Sequence, residues 1–227
     1  LLILRFIAVV ALLSGAPRLA SADEIEVRNV RLDEVDEGIV ANAEFAFDFS
    51  PRLAHVVANG VPLYFLVEFE LTRPRWYWFD EKAAARRQHI RLSYHAISRQ
   101  YRLSTGPLQQ SFASVAEALA VLRRLRNWLV VERGAGLSDA DYQAAVRLRL
   151  DLSLLPKPFQ VSALTSSELR LESAWRRFEF HPSPAFLASQ PVPERAAATR
   201  REQHRHQGGT ASQRARHRHA PAVSTRR

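Results

Sequence analysis

The sequence has no cysteine, which excludes disulfides, thiol nucleophiles, thiolate metal sites and a lipidated cysteine anchor. The redox compartment stays open, because an oxidising space permits disulfides without requiring them. There is no Gly-x-Ser-x-Gly elbow, and the serines and histidines show no triad spacing. A His-Glu-x-x-His pair and a calcium-loop pattern are absent too. Gly134-Ala135-Gly136 lacks the third glycine of a dinucleotide loop and opens no helix, so it reads as an ordinary loop. After the first 22 residues no apolar run approaches the roughly 20 residues needed to span a bilayer.

What the sequence has in excess is positive charge, and it is unevenly placed. The chain of 227 residues carries 32 Lys plus Arg against 23 Asp plus Glu. Residues 182–227 hold nine arginines and two glutamates, a net +7, and residues 1–22 add two arginines and no acid. The stretch 23–181 is therefore neutral, and a nucleic-acid-binding body is not expected.

Leu1–Leu13 is apolar apart from Arg5, and Ala20-Ser21-Ala22 has the small-x-small pattern that signal peptidase accepts. Pro17 and Arg18 interrupt the run too early for a membrane anchor. The expectation is a signal peptide at 1–22, cleavage after Ala22, and a bacterial periplasmic location. Residues 23–181 are expected to form one domain. Residues 182–227, rich in Pro, Arg, His and Ala without apolar periodicity, are expected to be a disordered basic tail.

Period two dominates the body. Ile25 and Val27 alternate, then Val30 and Leu32 continue on the other parity, which predicts a bulge near Arg28-Asn29. Asp33–Gly38 reads as a turn. Ile39, Ala41, Ala43, Phe45, Phe47 and Phe49 form an inward stripe, with Asn42, Glu44 and Asp48 outward. Ser50-Pro51 predicts a helix start, with Leu53, Val56 and Val57 inward and an end at Asn59-Gly60. Leu63, Phe65, Val67, Phe69 and Leu71 mark the next strand. A charged link is expected from Asp80 to about Arg87, then a strand with Ile90, Leu92 and Tyr94 and its mate with Tyr101 and Leu103.

Ser114 is expected to cap a helix carrying Val115, Ala118, Leu119, Leu122 and Leu125, followed by a short strand at Trp128–Val131. The alternation from Tyr142 to Leu154 puts Arg147, Arg149 and Asp151 outside, and Leu155-Pro156-Lys157-Pro158 stops it. A last strand is expected from Leu169 to Trp175. The sum is a mainly β fold, an antiparallel β-sandwich with two or three short helices.

Three stretches carry a resemblance: Tyr94-His95-Ala96 through Arg99-Gln100-Tyr101, Leu155-Pro156-Lys157-Pro158-Phe159-Gln160, and the closing strand ending at Trp175. With the signal peptide and the Ser-x-x-Glu helix at 114–117, the chain resembles an uncharacterised secreted proteobacterial family. Its members carry a domain of unknown function and are often labelled "proline-rich signal peptide protein". The resemblance covers roughly residues 23–180. It implies a gene neighbourhood beside a nitrogen-regulation-type membrane sensor kinase, and no activity, cofactor or catalytic residue.

The candidate interaction surface is the aromatic segment Trp76, Tyr77, Trp78 and Phe79 with Arg73 and Arg75 beside it. In an extended chain the two tryptophans share one face, which is either core or a flat surface for a partner. No catalytic, cofactor or metal site is expected. His55, His89 and His95 read as surface histidines, and the His204-Arg205-His206 and His217-Arg218-His219 repeats as compositional bias. The expected function is a non-enzymatic binding or interaction module whose partner is an unknown protein or envelope component. One alternative is a hydrolase assembled from distant residues such as His95, Asp139 and Asp141. Another is a polybasic tail that tethers the domain to an anionic membrane surface. Export predicts that N-terminal sequencing of the protein from a periplasmic fraction begins at Asp23; a product still beginning at Leu1 refutes it.

Overall fold

A computed structural model describes residues 25–75, 80–165 and 167–190. Strand β1 (Glu26–Val35) and β2 (Gly38–Ala46) form a hairpin, followed by helix α1 (Pro51–Ala58) and β3 (Leu63–Arg73). Then come β4 (Glu81–His95), β5 (Gln100–Thr105), β6 (Leu108–Phe112), α2 (Val115–Leu122) and β7 (Arg124–Glu132). The chain continues through β8 (Tyr142–Leu150), α3 (Lys157–Thr165), β9 (Arg176–Phe180) and α4 (Pro184–Ala188). Short 3-10 turns at Leu152–Leu154 and Ser167–Leu169 flank α3.

The strands make two antiparallel sheets, a three-stranded one in the order β1-β2-β7 and a six-stranded one in the order β6-β5-β4-β3-β8-β9. This is the mainly β, two-sheet architecture that the alternation predicts. One apolar cluster lies between the sheets. Ile39, Ala41, Ala43 and Phe45 enter it from β2, and Leu63, Phe65, Val67, Phe69 and Leu71 from β3. Phe49 stacks on Phe65 with ring centres 6.0 Å apart, and Phe69 meets Trp128 of β7 edge-on at 6.5 Å.

Local signals set the helix starts. Ser50 Oγ accepts from Leu53 N at 3.2 Å, Pro51 fills the first helical position, and Leu53, Val56 and Val57 are buried. At α2, Ser114 Oγ accepts from Glu117 N while Glu117 Oε2 accepts from Ala113 N, a reciprocal cap.

Several boundaries differ from the sequence reading. The expected bulge is present, as a register shift between Val27 and Asn29, but β1 runs on to Val35 and leaves only Asp36-Glu37 in the turn. Asn42 is on the outward face, as read, but buried there, because its amide bridges two strands: Nδ2 donates to Asp33 Oδ2 at 2.7 Å and Oδ1 accepts from Asn127 N at 2.9 Å. The charged link after Asp80 is instead the first half of β4, paired to β3 from Glu81 onward. Leu125 belongs to β7, not to the helix before it. Leu152 and Leu154 turn away from the ladder after β8, and Leu154 is exposed.

The closing strand is also displaced. Glu172 makes only a single bridge to Arg149, and β9 begins at Arg176, after Trp175. Past His181, the first residues of the stretch read as tail form α4, where Ser183 caps the helix and Phe186 is buried. The rest of that stretch, from Pro191 on, lies outside the described residues.

Gly38 opens β2 at φ 147°, and a Cβ there would sit 2.0 Å from Val131 O of β7. Only glycine lets the two strands approach so closely. Gly38→Ala should therefore cost about 2 kcal/mol or more. Urea unfolding measures this, and a loss below about 0.5 kcal/mol would refute the close approach.

Candidate functional site

Strand β3 has neighbours on both sides, β4 and β8, along almost its whole length. Strand β4 does not. It pairs with β3 from Glu81 to Leu92, but with β5 only from Ile90 to His95. Among the described residues, Glu81–His89 therefore has a strand on one side alone.

The residue types change at the same point. Opposite the inward Phe65 and Leu63 of β3, β4 supplies the buried Ile90 and Leu92. Opposite Val67, Phe69 and Leu71 it supplies Gln88, Arg86 and Ala84. Small and polar side chains leave the sandwich open along this flank among the described residues. Strand β7, which pairs with β2 alone among the described residues, borders the gap from the other sheet. Between them runs a groove of about 250 Å³ lined by Ala83–Arg86 and Val130–Ala135. Arg86 crosses it to Glu132, with 2.5 Å between Nη2 and Oε1.

The arm that joins β3 to this edge is the segment singled out by sequence. Arg73 is the last residue of β3 and pairs across from Glu81. Arg75 is exposed and forms an ion pair with Glu81. Both candidate arginines thus stand at the start of the open edge. Trp76, Tyr77, Trp78 and Phe79 lie outside the described residues.

A second constellation occupies the outward face of the six-stranded sheet. Glu68 points away from the core yet is only 4% exposed. Arg147 and Arg149 of β8 donate Nε–H to its Oε2 at 2.6 and 3.1 Å, and Arg87 Nε of β4 lies 3.1 Å from Oε1. Burial alone would raise the Glu68 carboxyl; the hydrogen bonds from Arg147 and Arg149, with their charges, outweigh it and hold the group below its ordinary value of 4.5. Two rows along the same face, Asp151 accepts from Ser153 Oγ at 2.6 Å and lies 3.3 Å from His89 Nε2. Burial pushes this carboxyl up as well, and Ser153, His89 and the Arg149 charge hold it below its ordinary 3.8.

A third feature is a hollow of about 340 Å³ on the outer face of the small sheet, where register shifts on both sides of β2 expose Glu44 between Asn29 and Arg126. Asn29 donates to it at 2.9 Å and Arg126 at 2.7 Å. Asn127 beside them has φ 49°, a left-handed conformation that asparagine tolerates better than most residues.

The distant residues weighed for hydrolysis are not brought together. His95 lies past the Leu92–Leu63 rung and contacts Ser98 Oγ at 2.9 Å. Asp139 and Asp141 precede the Gln143–Thr72 rung at the other end of β3, and each lies 3.0 Å from His181. Those rungs are roughly 30 Å apart along the strand.

Neither the open edge nor the arginine cluster was named from sequence. Each needs register, which alternation alone does not supply. The available signal was parity, since Arg147 and Arg149 share an outward face and Glu68 lies outward between Val67 and Phe69.

The family follows from comparison. Residues 22–179 match the family described as a domain of unknown function, DUF4390, and the chain belongs to it. No curated protein and no solved structure matches the chain.

Glu68 links the cluster to pH. Its folded pKa is lowered, so its contribution is complete above the ordinary 4.5 and disappears as pH falls through the lowered folded value. Asp151 acts in the same direction just below it. Wild-type unfolding free energy should therefore decline below about pH 4.5, and Glu68→Gln should be less stable at pH 7 by about 2 kcal/mol, after discounting for the exposed arginines. Its acid slope should also be shallower. Denaturant titrations at pH 7 and pH 3 read both quantities, and parallel pH profiles would remove Glu68 from the account.

Proposed function

We propose that the domain is a non-enzymatic interaction module, exported to the periplasm, that takes an extended peptide segment of a partner protein as an added strand along Glu81–His89 of β4. The observation that carries this reading is the nine-residue stretch of β4 with one strand neighbour beside a groove floored by alanines. Unpaired backbone N–H and C=O groups on such an edge supply affinity, and pockets for alternate side chains supply selectivity. The other edges suit this less. Strands β6 and β9 have five residues each, and β1 is bent by its bulge and engaged at Glu34 by Ser183.

The chemistry of the occupant follows from its surroundings. One set of its side chains would meet Ala83, Ala84 and Val130, where apolar groups of modest size fit. The alternate set would stand beside Lys82 and Arg87 on the outward face, which favours Asp or Glu, while Arg86 stays on the groove side. The same cations oppose pairing with a second copy, because like charges facing each other across strands are unfavourable. The aromatic run at 76–79 ends two residues before this edge and remains a candidate part of the surface. An accessory role in envelope signalling agrees with the gene neighbourhood that the family resemblance implies.

A synthetic heptapeptide alternating valine and glutamate is the direct probe. Hydrogen exchange should show its protection confined to β4 amides between Glu81 and His89. Lys82→Glu should weaken the binding about tenfold, and added salt should weaken the wild type in the same direction. Protection that maps elsewhere, or binding indifferent to the charge reversal, would overturn the reading.

A further inference from the structure

We propose that Arg87, Arg147 and Arg149, gathered around Glu68, form a binding site for a phosphate monoester on the outward face of the six-stranded sheet. This site lies on the outward face of the sheet, outside the edge groove, and shares only Arg87 with the stretch of β4 read as a docking edge.

The charges gathered at Glu68 do not balance. One carboxylate is neutralised by one guanidinium, yet three converge on Glu68 and leave a surplus of +2. Arg87 and Arg147 flank Glu68 in a single row across β4, β3 and β8. Arg149 stands two residues further on the same face of β8, roughly 7 Å from Arg147. Like charges at that spacing repel, so the arrangement is completed by an anion. A phosphate monoester carries about −1.5 to −2 at neutral pH, opposite in sign to the three guanidinium groups.

Geometry sharpens the match. All three arginines approach Glu68 through Nε. Their terminal amino groups have no hydrogen-bond acceptor among the described residues. Those ends are the forks that bind phosphate oxygens in pairs. Glu68 itself is buried and holds the Nε side of each fork, so the site is organised before any ligand arrives. The Trp175 ring lies under the Arg147 guanidinium at 4.5 Å and limits its rotation. Arg147 and Arg149 are 28% and 29% exposed, open to solvent but held, whereas Arg87 at 73% is free to close over a bound group.

Neighbouring carboxylates offset part of this surplus: Asp151 feels the Arg149 charge and Glu172 bridges to Arg149, whereas Glu70 is engaged by Lys82 at 2.8 Å. Arg91, one row beyond His89, adds positive charge and rests over Tyr64.

The phosphate group can belong to a soluble molecule or to a lipid headgroup, and two probes separate these. Phenyl phosphate titrated into the full chain should perturb Trp175 fluorescence with submillimolar affinity, and Trp175→Phe should remove that signal. Vesicles containing phosphatidic acid should be compared with neutral phosphatidylcholine vesicles by co-sedimentation. Arg147→Gln with Arg149→Gln should weaken whichever probe binds by at least tenfold. Arg87→Gln, which leaves both hydrogen bonds to Glu68 in place, should weaken it severalfold and serves if the double variant fails to fold. Binding of phenyl phosphate alone assigns a soluble ligand, and binding of the vesicles alone, or of both, assigns a headgroup or a phosphate common to the two. Failure of both probes to bind, or binding unchanged in the arginine variants, overturns the proposal. Because β4 amide protection by the peptide probe is read separately, failure here is distinguishable from failure of the edge reading.

Discussion

The two-sided pairing of β3 organises the molecule. A strand held by β4 on one side and β8 on the other is fixed in register twice, and its side chains alternate without slack. Phe65, Val67 and Phe69 are thereby committed to the space between the sheets. The intervening Glu68 is committed to the opposite face, in a row with cations from both neighbours. A slip of one residue on either side would send Glu68 toward Phe49 and Trp128 and turn Phe69 to solvent. Core and arginine cluster are therefore two faces of the same ladder.

Much of this was legible in the sequence where apolar residues alternate against polar ones. The inward stripes of β2 and β3, the caps at Ser50 and Ser114, and the bulge after Val27 each leave a local signature. The failures share a cause. The first half of β4 reads Glu-Lys-Ala-Ala-Ala-Arg-Arg-Gln-His because its inner flank faces a groove, so there is no apolar period to detect. Asn42 lies on the outward parity of β2, but a backbone N–H freed by the distortion of β7 must be met, and the amide is buried in meeting it. The closing strand was displaced because Leu169 and Leu171 are buried without extended pairing, one at the end of a 3-10 turn. Of the candidate surface, Arg73 and Arg75 stand where β3 gives way to the part of β4 that has one strand neighbour among the described residues.

The charges of the outer faces divide by how they are held. Lys82, Arg75 and Arg86 each meet one partly exposed carboxylate, a kind of contact that contributes little to stability in water. Glu68 differs because its carboxylate is withdrawn from water while the cations around it stay in contact with the solvent. Removing the acid would leave the cations solvated but mutually repelled, whereas removing one cation leaves two others in place. The cluster is robust to loss at its rim and sensitive at its centre.

The partners of β3 also arrive at very different times along the chain. Strand β4 follows after a short connection, whereas β8 comes about seventy residues later, after the whole β5-β6-α2-β7 excursion. Closing a loop of that length before its contacts form is an entropic barrier, and topologies dominated by such pairings fold slowly. The β1–β2 hairpin is in the same position, since β7 completes its sheet only after a similar interval. During that wait the second edge of β3 and the far edge of β2 are both bare, each with an apolar stripe turned to water. A nascent or newly unfolded chain is therefore most prone to self-association through strands that the finished molecule hides completely, and least through the charged edge that it leaves on view.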